Sequence, residues 1–368
     1  MARFNGNDVV ALSMLHTFTI MKIAIDAMGG DYAPLEIVKG IEIARDRYQN
    51  IEFQLYGTED EVKPLVKNWE RIELIATTEV IAMGDEPVKA MRRKKDSSMV
   101  RAAMAVKEGR ADALFSAGNT GALLSSAIFL IGRIKGVDRP ALASALPSFD
   151  GQHDQFVFMD LGANAENKPS HLYQYGILGS FYATHVLGIT APRVRLLNNG
   201  AEEDKGDEVH KAAHQLMKNS PSFNFLGNIE ARELLDGTAD VVVADGFSGN
   251  AALKATEGTA LMMLKQIKQA IMSSGIGGKL GGALLKPAFK QVQKKLDYNE
   301  AGGAVILGVK APVVKTHGSA KAAAVANTMG QIKTMLDNQL VPDIQDYISA
   351  HTAELQSGKQ VLNAQLND

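Results

Sequence analysis

Short apolar runs alternate with longer segments of helical period along this 368-residue chain, and that alternation constrains the fold more than any other feature. The runs span 22–27, 53–57, 72–76, 111–116, 141–146, 156–161, 194–198, 223–226, 240–244 and 304–309. Most are apolar at consecutive positions. A strand with one wet face alternates apolar with polar, whereas a strand covered on both faces does not. Helical patterns lie between them at 96–108, 120–134, 205–218 and 251–272, with Asp96 placed as an N-cap and Gly109 just past a C-terminus. Residues 331–368 read as terminal helices. The spacing predicts a mainly parallel sheet with helices on both faces, a three-layer α/β/α fold.

Composition narrows the chemistry. There are no cysteines, which excludes a disulfide scaffold, a thiolate metal site and a thiol nucleophile. The net charge of −2 argues against a globally basic nucleic-acid binder. Length alone suggests two domains. The continuous strand–helix pattern instead predicts one unit over 21–368, with 258–296 as an appended helical pair. Residues 1–20 read as a flexible extension, or as translation from an upstream start before a start at Met21. Two runs without Asp, Glu, Lys or Arg, 113–132 and 169–192, approach membrane-span length. Their glycines and polar residues predict a strand, loop and helix for the first and a buried helix for the second. No transmembrane helix is expected.

Glycine-containing polar turns sit at strand ends. The first is Asp26-Ala-Met-Gly-Gly-Asp31. Ser116-Ala-Gly-Asn-Thr-Gly-Ala122 echoes Ala244-Asp-Gly-Phe-Ser-Gly-Asn250, each leaving a strand and opening a helix. Asp160-Leu-Gly-Ala-Asn164, Asn199-Gly-Ala-Glu-Glu-Asp-Lys-Gly206 and Thr316-His-Gly-Ser-Ala320 complete the set. In open α/β sheets ligands bind beyond the carboxyl ends of strands, where helix N-termini suit anions. Each turn also has a purely structural reading. Asn250 can cap the helix that follows or polarise a carbonyl. Glu202 and Glu203 suit a helix start electrostatically, but Lys205 opposes the dipole there, which favours an anion between them. Ser319 reads as a helix cap, and His317 as structural. Ser248 does not stand in G-x-S-x-G, so it is a poor hydrolase nucleophile. Neither G-x-G-x-x-G at a strand–helix junction nor G-x-x-x-x-G-K-[ST] occurs. His210 and His214 lack the H-E-x-x-H context, and no metal site or cofactor is expected.

The stretch 258–296 carries Lys265, Lys268, Lys279, Lys286, Lys290, Lys294 and Lys295 and no acidic residue. Apolar residues interleave the lysines, and Gly275-Ile-Gly-Gly-Lys-Leu-Gly-Gly282 breaks the pattern. This predicts two basic amphipathic helices joined by a glycine turn. They would pack on the protein's own core, on a second subunit, or on an anionic lipid or acidic protein.

The six turns, in this order from about residue 21 to about residue 330, resemble the PlsX family of phosphate acyltransferases of bacterial phospholipid synthesis. The resemblance implies that acyl-[acyl carrier protein] and inorganic phosphate give acyl phosphate and free carrier protein. It also implies a fold like the isocitrate and isopropylmalate dehydrogenases, a homodimer, and a cytoplasmic protein associated peripherally with the membrane. The product would feed a glycerol-3-phosphate acyltransferase. By resemblance Lys205 orients or neutralises phosphate, and Asn250 polarises the thioester. The remaining turn residues are assigned to substrate: Asp26, Gly29, Gly30, Asp31, Gly118, Asn119, Thr120, Gly121, Asp160, Gly162, Asn164, Asn199, Gly200, Glu202, Glu203, Asp245, Gly246, Ser248, Gly249, His317, Gly318 and Ser319. Lys265, Lys268, Lys279, Lys286 and Lys290 are assigned to membrane or carrier protein. Rival readings are an acyl-CoA-dependent phosphate acetyltransferase-like enzyme, a dehydrogenase and a non-enzymatic membrane-surface scaffold.

Overall fold

The structure is a computed structural model, described here for residues 20–149, 151–296 and 302–352. The expected N-terminal extension, apart from Ile20, lies outside the described residues, as does the chain after 352. The strands are β1 (Met21–Asp26), β2 (Ile51–Gly57), β3 (Ile72–Ala76), β4 (Ala113–Ser116), β5 (Ala141–Pro147), β6 (Gln155–Met159), β7 (Arg193–Asn198), β8 (Asn224–Glu230), β9 (Val241–Val243), β10 (Ala304–Leu307) and β11 (Val313–Lys315). The helices are α1 (Leu35–Arg47), α2 (Glu59–Val62), α3 (Pro87–Arg93), α4 (Ser98–Lys107), α5 (Thr120–Ser126), α6 (Pro169–His185), α7 (Glu208–Lys218), α8 (Gly246–Ser273), α9 (Gly275–Leu296), α10 (Ala322–Asp337) and α11 (Leu340–Ala350).

All the strands join one 11-stranded sheet in the order β3-β2-β1-β4-β11-β10-β5-β6-β9-β7-β8. Pairing is parallel except at β10–β11, β10–β5 and β5–β6. Consequently β1, β2, β3, β4 and β11 run opposite to β6, β7, β8 and β9. The carboxyl ends of the two sets leave the sheet at opposite edges. Strand periodicity carries no direction, so this reversal was not visible in the sequence.

The two faces are covered unequally. On one face a single cluster runs across the sheet from Ile23 and Phe53 through Ala143 and Val157 to Val194 and Leu196, under α1, α6, α7, α10 and α11. On the other face the core divides. One patch lies under α3, α4 and α5 around Ala24, Leu114 and Ile306, and the other under the base of α8 around Phe156, Phe158 and Val242. Leu142 of β5 touches both patches. The space between them, over the central antiparallel strands, is an open cleft.

Several local expectations shift. The first of these helices begins at Ser98, because Asp96 instead accepts from the Thr78 N–H and hydroxyl and pairs with Arg101. Gly109 does end that helix region, with φ +71. The 120–134 helix is α-helical only to Ser126 and then forms a π-helical turn, Ala127–Ile131, closed by Gly132 at φ +97. The 205–218 helix starts at Glu208, where Asp207 accepts from the His210 N–H at 2.8 Å. Ser319 is not a cap: α10 starts at Ala322 behind Lys321, and the Ser319 hydroxyl pairs with His317 Nδ1 at 2.7 Å. Asn250 is not a cap either, since α8 begins earlier and is capped by Asp245. Only the first glycine of the run at 275–282 takes part in the turn. The chain reverses at Ser274 and Gly275 (φ +74), and the later glycines lie inside α9. β11 was missed, because two valines and a lysine are too short a run to carry a period.

The α8–α9 hairpin carries an exposed apolar stripe that includes Leu261 at 68% and Leu284 at 82% exposure. Lys265, Lys268, Lys286 and Lys290 are exposed along it, and the Lys279 side chain is outside the described residues. No helix among the described residues is long and apolar enough to cross a membrane.

Candidate active site

The cleft has a volume of about 430 Å³, within the range of small-molecule sites. Its floor is Leu142, Ser144 and Leu146, alternate positions of β5 that share one face of the sheet. One wall comes from the turns after β1, β4 and β11, through Asp31, Thr120, His317 and Gly318. The opposite wall is Gly162 of the turn after β6 and the first turns of α8, through Asn250, Leu253, Lys254 and Glu257. Gly302 and Gly303 close one end. They are anchored by Gln331 of α10, whose amide oxygen accepts from the Gly303 N–H at 2.7 Å and whose Nε2 donates to the Gly303 carbonyl at 2.9 Å. Turns from oppositely directed strands therefore meet over the sheet face, not beyond one edge.

The turn residues divide into those that build the cleft and those that face it. Asp26 is a builder: its two oxygens accept from the Ser98 and Ser116 hydroxyls, each at 2.6 Å, tying α4 and β4 to β1. Burial pushes its carboxyl above the ordinary value, against those hydrogen bonds. A methyl on Gly29 would lie 2.5 Å from Asp26 Oδ2 and 2.7 Å from the Gly118 nitrogen, so close loop packing accounts for these two glycines. Gly30, at φ +115, needs the left-handed freedom of glycine. Asn119 is engaged as well. Its oxygen caps α5 through the Ala122 N–H, and its Nδ2 donates to the carbonyls of Met83 and Asp85 at 3.0 and 3.1 Å. It holds the 82–85 loop beside the cleft. Gly121 packs against Pro87.

Asp160 is fully buried and accepts five N–H donations, from the backbone of Leu142, Gly162, Ala163 and Asn164 and from Asn164 Nδ2. Burial pushes its carboxyl up, and the donors oppose that shift. Asn164 Nδ2 also donates to the Pro140 carbonyl and the Tyr175 hydroxyl, so its amide is occupied. The base of α8 is pressed onto this turn. A methyl on Gly249 would stand 2.0 Å from the Asp160 carbonyl, and one on Gly246 2.4 Å from that of Asn164. Asp245 accepts from the N–H groups of Phe247 and Ser248, each at 2.9 Å, and faces His210 Nε2 at 3.5 Å. Burial alone would raise this carboxyl, but His210 and Ser248 hold it down at about 2.

Asn250 differs. It is exposed at the cleft wall, and its amide has no hydrogen-bond partner among the described residues. Its Cβ lies 3.4 Å from where a methyl on Gly162 would stand, so the glycine keeps the approach to this amide open.

The turn after β7 does not join the cleft. Asn199, Gly200, Glu202, Glu203 and Lys205 are absent from the residues that line it. Glu203 is paired with Lys218 at 2.8 Å, and the Glu202 carbonyl accepts from Asn228 Nδ2. Lys205 is exposed, folds its stem against Gly200, and makes no ion pair among the described residues. This turn is joined to the α8 start through His210, which contacts both Asp207 and Asp245.

Sequence reading missed Lys254, Glu257 and Lys315. The first two face the cleft because α8 turns that side inward, an orientation that helical period alone does not give. Lys315 had a visible signal, a cation directly before the Thr-His-Gly turn, but its strand was unread. Among the described residues, no group of three His, Cys, Asp or Glu side chains is gathered to hold a metal ion.

The family described as fatty acid synthesis protein matches residues 21–342. A phosphate acyltransferase of Leuconostoc citreum is 87% identical over 347 residues, covering 94% of this chain and all of the relative. One from Leuconostoc mesenteroides is 83% identical over 342 residues, covering 93% of this chain and all of the relative. Among solved structures, a phosphotransacetylase from Streptococcus pyogenes superposes with a TM-score of 0.54 at 16% identity, covering 92% of this chain and all of that one. The EutD phosphotransacetylase from Staphylococcus aureus gives 0.53 at 18%, covering 85% and 94%. These structural likenesses speak to the α/β fold.

Proposed function

The chain belongs to the fatty acid synthesis protein family, and from that premise we propose how it works as a phosphate acyltransferase. The acyl group passes from the thioester of an acyl carrier protein to inorganic phosphate. A phosphate oxygen forms the new C–O bond, the carbonyl electron pair moves onto oxygen, and the C–S bond breaks as the pair returns. Hydrogen phosphate supplies the proton that leaves with the carrier thiol, so atoms and charge balance without a third reactant. No side chain need be acylated, which suits a chain without cysteine. What remains for the protein is positioning and stabilisation of the oxyanion.

The single observation that carries the assignment of residues is the contrast between the amides. Asn119 and Asn164 are engaged in loop structure, whereas the Asn250 amide at the wall of the cleft has no partner among the described residues. Its N–H groups are the donors for the thioester oxygen as it becomes negative. Lys205 is the cation of the neighbouring turn, outside the residues that line the cleft, and neutralises charge in the transition state, a role supported by its lack of an ion pair among the described residues. Asp31, Thr120, Gly162, His317 and Gly318 are the substrate-facing members of the predicted set. Asp26, Asn119, Asp160, Asn164 and Asp245 act by holding the turns in place.

Purified protein given acyl carrier protein thioester is expected to release free thiol only when phosphate is present. Acyl-CoA of the same chain length should be a poor donor. Equal turnover from acyl-CoA would instead support the phosphate acetyltransferase-like reading.

The basic hairpin is the partner surface in this proposal. Its exposed leucines and lysines fit a second subunit along the apolar stripe and an anionic surface, carrier protein or lipid, at the charged flank. A Lys265→Glu/Lys268→Glu variant should sediment less with anionic vesicles and show a raised KM for acyl carrier protein. If neither quantity moves, the hairpin is not that surface.

A further inference from the structure

Lys315 is the cation that the cleft leaves unexplained. It ends β11, between Ser116 of β4 and Ala304 of β10, and lines both the cleft and an adjoining cavity of about 150 Å³ walled by Leu123, Leu124 and Ile306. Its Nζ donates to the carbonyl of Thr316 at 2.8 Å and makes no ion pair among the described residues. The other charged or titratable groups at the cleft are Asp31, Lys254, Glu257 and His317. Lys254 pairs with Glu257 Oε2 at 2.8 Å and adds repulsion toward Lys315, while Glu257 Oε1 is buried with no partner among the described residues. Asp31 attracts Lys315 from the exposed rim, outside ion-pair contact. Beside Lys315, the Thr316 hydroxyl is buried without a partner, on a residue 3% exposed that lines the same cleft.

A half-buried ammonium with no ion-pair partner among the described residues, next to an unsatisfied hydroxyl, is costly unless an anion completes the site. We propose that Lys315 is the seat of the inorganic phosphate in this cleft. The inference rests on the acyl-transfer reading and deepens it by placing the nucleophile. Lys315 of β11 and Asn250 of α8 line the same cleft, so phosphate held at Lys315 shares that space with the amide.

Burial, with Lys254 next to it, pulls the Lys315 ammonium down to about 8 from an ordinary lysine value. A base lowered on folding binds fewer protons in the native state than in the unfolded state. Stability of the phosphate-free protein should therefore rise with pH from about 8 toward the ordinary lysine value of about 10.4. Phosphate affinity should fall over the same range as the ammonium is lost.

The test is isothermal titration with inorganic phosphate in the absence of any acyl donor, beside steady-state kinetics. Lys315→Met should weaken phosphate binding and raise the KM for phosphate by about tenfold to a hundredfold, the usual worth of a charged hydrogen bond. The KM for the acyl donor should change little. The variant should melt no lower than wild type, since it loses an uncompensated charge. Lys315→Arg should restore binding and abolish its decline above pH 8. Phosphate affinity within threefold of wild type in Lys315→Met overturns the proposal. So does a wild-type affinity that holds constant from pH 8 to 10. If Lys315→Met fails to fold, the pH profile of Lys315→Arg decides alone. Lys315-dependent phosphate binding without acyl phosphate formation would sink the acyl-transfer reading and leave this site standing. Acyl phosphate formation with an unchanged phosphate KM in Lys315→Met would do the reverse.

Discussion

Replacing Asn250 with alanine is expected to lower turnover by about 10²–10³-fold, the usual loss for one oxyanion donor. Stability should hardly change. Asn250 is exposed on the first turns of α8, and its amide has no hydrogen-bond partner among the described residues, so its removal breaks no contact described in the fold. An alanine at an exposed helical position is at least as good a helix former as asparagine. The loss should fall on kcat and leave the donor KM nearly unchanged, because the amide acts on charge that develops only in the transition state. Lys205→Ala should show the same pattern with an intact fold, since that side chain is exposed and unpaired among the described residues. If both variants turn over at near wild-type rates, the assignment of these residues is wrong.

The second large effect is structural. Asp160→Ala should destabilise the protein by about 3–5 kcal/mol, because it strands several buried N–H donors at once. The carboxylate gathers the backbone of residues 142 and 162–164 around itself, and α8 packs on that turn with almost no clearance at Gly249. Loss of the carboxylate should therefore loosen the wall that carries Asn250. Activity should vanish together with the cooperative melt. A variant that retains its melting temperature but loses turnover would instead make Asp160 a substrate contact, as first expected from its motif. Circular dichroism melts beside kinetics separate the two.

These two residues show what could be read in advance and what could not. Asp160 and Asn250 both belong to glycine turns at strand ends, and the turns were legible because strand, polar break and helix follow each other in the chain. Which polar group points at a ligand was not legible, because that depends on what packs behind it. Asn119 and Asn250 sit in echoing turns, yet the 82–85 loop happens to lie against Asn119 and takes its amide. Strand direction was equally hidden. The reversal at β10, β5 and β6 brings turns from opposite sets onto one sheet face, so the site is not along a single carboxyl edge. Helix starts were misplaced where a competing partner takes the expected cap, as Thr78 and Arg101 do with Asp96. Lys315 escaped notice because three residues carry no period, even though its pairing across β4 and β10 is what places it in the cleft.

In this mechanism phosphate, not the protein, attacks the thioester. The most direct test is intact-mass analysis of the protein after mixing with acyl carrier protein thioester, first without phosphate and then with it. The expected result is unmodified protein mass in both cases, no thiol release in the first, and acyl phosphate with one equivalent of free thiol in the second. A protein that gains the mass of the acyl group without phosphate, and passes it on when phosphate is added, would contradict the account.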